Sequence, residues 1–236
     1  MASIEVGKSE LGLREICYGF QQLLPISLFV VAFGLAFGLA STQMGLTNST
    51  TMAMSIFVFA GAAQFAVLDL WGQHIPVLPL AVTVFAINAR HLLMGAALYP
   101  WLKHLPAAKR YGIMLVVSDS NWAMSMQALS RSQPGLGLLF GGGLALWAAW
   151  ILGTWLGIHF GNVINSPISL GLDMVMGCFL WAMVLGGNKS TRLIFIWAVA
   201  GCAALLARAY LPENAHVVTG ALAGGLLGAM WTEQKQ

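Results

Sequence analysis

The chain has 236 residues, 58% of them hydrophobic and only 8% charged, with a mean hydropathy of +0.79. Soluble domains carry about a quarter charged residues, and a protein of this size cannot hide so much apolar surface from water. That excludes a cytosolic enzyme, a disordered chain, a collagen and a secreted disulfide scaffold, and 11 Lys+Arg against 8 Asp+Glu is too mild a balance for a nucleic-acid partner.

What remains is an all-α, polytopic integral membrane helix bundle of 7–8 hydrophobic segments, some re-entrant or broken. Before the first segment, Leu13, Ile16, Cys17, Phe20 and Leu24 recur at helical spacing. Residues 1–22 therefore read as a cytoplasmic or interfacial amphipathic segment, or equally as a continuous lead into the first span. The first twenty residues are polar and mixed in charge, so the apolar run from Leu23 is expected to act as the insertion signal.

Eight segments follow, at 23–44, 52–72, 76–101, 112–130, 136–160, 167–187, 193–211 and 215–231, before a tail at 232–236. Each approaches the roughly 20 apolar residues that a crossing needs. Turn-forming and charged runs separate them, such as Thr47-Asn48-Ser49-Thr50, Lys103 to Arg110 and Asn165-Ser166-Pro167. The runs are continuous rather than alternating, which argues against a β-barrel. Pro25, near the start of the first span, reads as a helix-starting residue. Gly34 and Gly38, Gly141 to Gly143, and Gly220 to Gly228 read as tight bundle packing, with a broken helix as the alternative.

Charge distribution complicates the topology. Arg14, Arg131, Lys189 and Arg192 fit a cytoplasmic side, but eight simple crossings put the Lys103–Arg110 loop outside. The conflict disappears if two segments enter and leave on one side. The second, with Ala60-Gly61-Ala62-Ala63-Gln64-Phe65, and the fourth, rich in polar residues from Ser118 to Gln127, are the candidates. Such broken segments are tolerated only where they line a protein-enclosed or watery cavity.

Five charged residues fall inside segments: Asp69, Arg90, Asp119, Asp173 and Arg208. Asp69 and Arg208 lie within about a turn of an end and can reach the interface. Asp173 is ambiguous. Arg90 and Asp119 lie at mid-segment, where a charge costs about 2.5–3.5 kcal/mol even on the lenient insertion scale. An ion pair between them either locks the bundle or serves a ligand. Asn88 and His91 share a helix face beside Arg90, and a histidine's titration range suits proton coupling. Gln64 either reads a ligand or cross-links helices, and Asn121 follows Asp119 in the fourth segment. Trp147 and Trp150 read as core or lipid-facing. No nucleotide, metalloprotease or hydrolase motif is present, so no enzyme, metal or cofactor is expected. Cys17, Cys178 and Cys202 are isolated and read as small hydrophobes.

Phe59-Ala60-Gly61-Ala62-Ala63-Gln64-Phe65, followed by Asn88-Ala89-Arg90-His91-Leu92-Leu93-Met94-Gly95, resembles the AzlC family of branched-chain amino acid exporters. Ser118-Asp119 and the run from Leu146 to Thr154 resemble its later segments, and Asn88 stands where some members carry Asp. The resemblance implies a secondary transporter of the bacterial cytoplasmic membrane. It would export valine, leucine, isoleucine and methionine, coupled to the proton gradient and acting with a small AzlD-type membrane protein. Residues 23–231 are then a single transport domain. Arg90 would take the substrate carboxylate and Asp119 the ammonium, with Gln64, Asn88, His91 and Asn121 completing the set. A small-solute channel and a non-transporting membrane subunit are the alternatives.

Overall fold

The structure is a computed structural model that describes residues 11–71, 77–131, 133, 135–160, 174, 190–211 and 215–231. Every element among them is a helix. In chain order they are α1 (Leu13–Gln43), α2 (Asn48–Phe57), α3 (Gly61–Asp69), α4 (Val77–Asn88), α5 (Arg90–Leu102), α6 (Ala107–Met114), α7 (Asp119–Ser130), α8 (Leu136–Phe160), α9 (Thr191–Tyr210) and α10 (Ala215–Met230). Four stretches are long and apolar enough to cross a membrane: Leu13–Gln43, Leu80–Leu102, Leu136–Phe160 and Thr191–Tyr210. The expected segment at 167–187 lies outside the described residues.

The amphipathic start and the first span are one continuous helix, and Pro25 lies well inside it rather than at its start. Proline removes one backbone hydrogen bond there, yet the helix carries on through it. Leu23 and Ser27, on either side, are buried, and Leu23 packs where α8 presents the bare backbone of Gly142.

Helices α1 and α8 run parallel and touch backbone to backbone. A Cβ added at Gly34 would lie 2.7 Å from the Trp150 carbonyl oxygen, and one at Gly157 would lie 2.9 Å from the Leu39 amide. One at Gly38 would collide with the Thr154 carbonyl. Since lipid tails are as apolar as leucine, such close approach is what holds helices together in a membrane. Of the two readings of these glycines, packing is the one seen on α1 and α8.

The second and fourth segments are each broken in the middle and turn back. At the distal end of α1, Leu46, two residues before α2, shares one cluster with Phe37, Leu68 and Trp71, so both the start of α2 and the end of α3 lie there. Their junction reaches only to the level of Phe33, where Gly61 faces that ring. At the proximal end, Leu11 packs in one cluster with Leu102, Leu105, Leu129 and Leu136. Helix α6 therefore starts, and α7 finishes, where α1 begins. The chain thus repeats one plan in opposite orientation: a long helix (α1), then a hairpin dipping in from its far end (α2–α3), then α4–α5 and a second such hairpin (α6–α7). The 103–106 turn lies at the proximal end with Arg14 and Arg131, which removes the charge conflict. The third segment is broken as well, at Ala89 between α4 and α5, which its apolar sequence did not signal.

Helices α9 and α10 form an antiparallel pair. Gly220 and Gly224 meet Ala204 and Ala200, and the Arg192 Nη2 donates to the Gly228 carbonyl at 2.8 Å.

Candidate functional site

The three helix breaks meet. Residues Phe59 to Ala62 from the α2–α3 break, Arg90 and His91 from α5, and Ser118 to Ser120 from the α6–α7 break line one cavity of about 80 Å³. One water needs roughly 10–15 Å³, so several small groups fit. The remaining wall is apolar: Val30 and Phe33 of α1 and Leu146 and Trp150 of α8. Each break is shaped by local chemistry, and the α2–α3 and α6–α7 breaks each start a helix at the cavity, where the backbone dipoles present their positive ends.

At the α6–α7 break, Asn121 does the shaping. Its Oδ1 accepts from the Ser118 amide (2.7 Å) and the Ser118 hydroxyl (3.0 Å). Its Nδ2 donates to the carbonyls of Val116 (2.9 Å) and Leu139 (2.8 Å). The side chain is fully buried and lies behind the cavity wall, so its polar capacity is used by backbone. Asn121→Ala strips partners from buried backbone groups at about 1–3 kcal/mol each, and a lowering of thermal stability by about 2–4 kcal/mol is expected in detergent-solubilised protein.

At the α2–α3 break, Phe59 adopts a φ of 40°, a region that bulky residues avoid, and packing against two apolar clusters holds it there. Gln64 is buried, and its Oε1 accepts from the Ala60 amide at 3.3 Å while its Nε2 has no partner among the described residues. Phe33 stacks on Phe65 at 5.1 Å between ring centroids, and Trp150 stacks on Phe37 at 5.6 Å. These rings brace the apolar wall. Behind it, Ser55 donates to the Thr154 hydroxyl at 2.8 Å, because Thr154 spends its own proton on the Trp150 carbonyl. Trp147 donates to the Ile56 carbonyl at 3.1 Å, tying α8 to the end of α2.

At the α4–α5 break, the helix tightens around Ala89, whose carbonyl accepts from the Leu92 amide at 3.0 Å. His91 Nδ1 lies 3.1 Å from the Asn88 carbonyl. A carbonyl only accepts, so Nδ1 carries the proton and a neutral ring leaves Nε2 as the open acceptor. The Asn88 Oδ1 is buried without a partner among the described residues.

Across the cavity, Arg90 Nη1 meets Asp119 Oδ2 at 3.0 Å, the pairing that the scarcity of mid-segment charge suggested. Their side chains are 36% and 19% exposed, so the pair is reachable rather than sealed. Asp119 is also the first residue of α7, where the helix dipole favours a carboxylate. Of the six residues singled out in the sequence, Arg90, His91 and Asp119 line the cavity together, while Gln64, Asn88 and Asn121 stand behind it. Trp150, read as core or lipid-facing, is both buried and part of the wall. Asp69 ends α3 and Arg208 lies in the last turn of α9, exposed. Asp173 is outside the described residues. No group of three metal-ligating side chains occurs among the described residues.

Fold and site together define a helical membrane protein whose broken helices enclose a central charged cavity. The family model described as AzlC protein matches residues 25–164, and the chain belongs to the AzlC family. An uncharacterized membrane protein of Archaeoglobus fulgidus is 26% identical over 226 residues, spanning 94% of this chain and 96% of the relative. The inner membrane protein YgaZ of Escherichia coli K12 is 24% identical, with 93% of each chain covered. The branched-chain amino acid transport protein AzlC of Bacillus subtilis is 26% identical over 159 residues, covering 66% of this chain and 61% of that one. No solved structure matches.

Proposed function

We propose that the protein is a secondary transporter that exports valine, leucine, isoleucine and methionine across the bacterial cytoplasmic membrane. The observation that carries this reading is the Arg90–Asp119 pair at 3.0 Å in a cavity whose other wall is apolar. A zwitterion with an aliphatic side chain is its chemical complement. The carboxylate takes Arg90 and the ammonium takes Asp119. The side chain lies among Phe33, Phe59, Leu146 and Trp150. Ligand and ion pair then exchange like for like, so binding opens the pair at little electrostatic cost, and the two states differ by which partner each charge holds.

Positive loops favour the cytoplasm, which puts the proximal end of α1 inside. His91, with Nε2 open, or Asp119 carries the coupling proton. Gln64 and Asn121 act by holding their breaks in place, and Asn88, whose Oδ1 has no partner among the described residues, supplies a neutral hydrogen-bonding group. A small AzlD-type membrane protein is the expected partner, and the transport reading leaves no enzymatic role. The name of the Bacillus subtilis relative supports the substrate class.

Proteoliposomes holding the protein and its small partner, loaded with each labelled amino acid, test the reading. Efflux that saturates and accelerates under an imposed proton gradient is expected. Flux that is linear in concentration and indifferent to the gradient would show a channel. The cavity's size gives a second result. A methyl group at Gly61 would lie 3.1 Å from Trp150 Cη2 and 3.2 Å from Phe33 Cε1. Gly61→Ala therefore narrows the apolar wall, and leucine efflux is expected to fall about tenfold relative to alanine efflux, the scale of one methylene in a tight pocket. An unchanged ranking would place the side chain elsewhere.

A further inference from the structure

A second and larger cavity, of about 640 Å³, opens at the proximal end between the start of α1, the end of α7 and the start of α8. Two guanidiniums line it, Arg14 and Arg131, together with one carboxylate, Glu15, so the lining keeps a net positive charge. Neither arginine makes an ion pair among the described residues. This differs from the inner cavity, where Arg90 is already engaged. The floor is apolar, formed by Met124 and Leu138.

That floor packs against side chains of the inner cavity's wall. Leu23, Leu138 and Leu146 form one buried cluster, with Met124, Val30 and Phe59 packed against it. Met124 and Leu138 face the outer cavity, whereas Val30, Phe59 and Leu146 line the inner one. Leu23 has no exposed surface at all. Along α1, the outer cavity reaches Gln22 and the inner one starts at Val30, about 12 Å further on at 1.5 Å per residue. Apolar side chains separate two cavities of related chemistry, each with guanidinium, one carboxylate and an aliphatic surface.

We infer that the outer cavity is a second binding site for zwitterionic aliphatic amino acids, which pass to the ion-pair cavity when the Leu23 layer parts. The inference rests on the transport function proposed above. The two arginines take the carboxylate by charge-assisted hydrogen bonds, Glu15 takes the ammonium, and Met124 and Leu138 meet the side chain. Because no existing pair must open, this site fills first.

The test uses the full chain with Cys17, Cys178 and Cys202 replaced by serine, and a reporter Tyr18→Cys on the outer wall. Leucine is expected to slow thiol labelling of the reporter, and to do so still when Arg90→Gln and Asp119→Asn disable the inner cavity. Arg14→Gln with Arg131→Gln should remove that protection. In efflux the same double variant should raise KM for leucine about tenfold with kcat held within about twofold, the pattern of lost ground-state binding. Leu23→Ala should make leucine flux independent of the proton gradient while leaving reporter protection intact. Absence of leucine protection in the parent, or an unchanged KM in the arginine variant, overturns the inference. So does an arginine effect seen only in vesicles containing phosphatidylglycerol and not in phosphatidylcholine, since the site would then belong to a lipid headgroup. If leucine is not exported, the transport function fails, and reporter protection alone still decides whether the outer site exists.

Discussion

Arg90→Ala is expected to lower leucine efflux at least about 100-fold, a loss of roughly 2.7 kcal/mol, while the protein still accumulates in the membrane. The substitution removes the cation that the proposed carboxylate needs, and it leaves Asp119 without the 3.0 Å partner it has in the cavity. Breaking a sealed pair usually costs about 3–5 kcal/mol of stability. Here both side chains reach the cavity, and Asp119 keeps the helix dipole of α7, so the stability loss should be well below that range. Efflux in proteoliposomes, normalised to the amount of inserted protein, separates the two effects. The doubly neutral variant, Arg90→Gln with Asp119→Asn, sharpens the result: it removes the unpaired charge and should restore stability but not transport. Wild-type efflux in Arg90→Ala would show that this residue is not the substrate's partner.

Gly38→Val is expected to abolish folded protein altogether. The valine side chain would drive into the Thr154 carbonyl, a backbone atom on a helix that is itself held against α1 by Gly153 and Gly157. Overpacking a tight interface costs about 1–3 kcal/mol where side chains can yield, and more where backbone must move. The whole α1–α8 contact supports the cavity wall, because Phe33 and Trp150 come from these two helices. Gly225→Ala is the matched control, since a Cβ there meets nothing within 4 Å. Thermal unfolding and size-exclusion profiles of solubilised protein should show loss of the monodisperse species for the first variant and no change for the second.

Much of this arrangement was legible in the chain because membrane chemistry is unforgiving. Charges at mid-segment are expensive, so Arg90 and Asp119 stood out, and they pair. Loop charges that violated simple alternation pointed to the second and fourth segments as re-entrant, and the clusters around Leu46 and Leu105 put both ends of each at one end of α1. The boundaries of α8 coincide with the apolar run at 136–160. Other features left weaker traces. The break at Ala89 carries no glycine or proline and sits within an apolar run, so only the polar trio of Asn88, Arg90 and His91 marks it. Pro25 looked like a helix start because the stretch before it is polar enough to read as a separate interfacial segment, whereas α1 runs through both. Phe59 and Trp150 are apolar, and composition alone does not distinguish a core residue from a cavity wall. Asn121 drew attention as a ligand group for being polar among apolar neighbours. Its spacing of three from Ser118 is the pattern of a helix cap, and that is the role it plays.

Equilibrium binding of labelled leucine to the purified complex is the most direct test of the ion-pair cavity as the substrate site. It should be measured for the parent protein and for the doubly neutral Arg90→Gln, Asp119→Asn variant, whose fold the matched neutralisation should preserve. The parent should bind saturably, and the variant, losing two charge-assisted contacts worth about 1.5–3 kcal/mol each, should weaken binding by at least about 100-fold at this site. Wild-type affinity in the variant would contradict the assignment of Arg90 and Asp119 to the substrate.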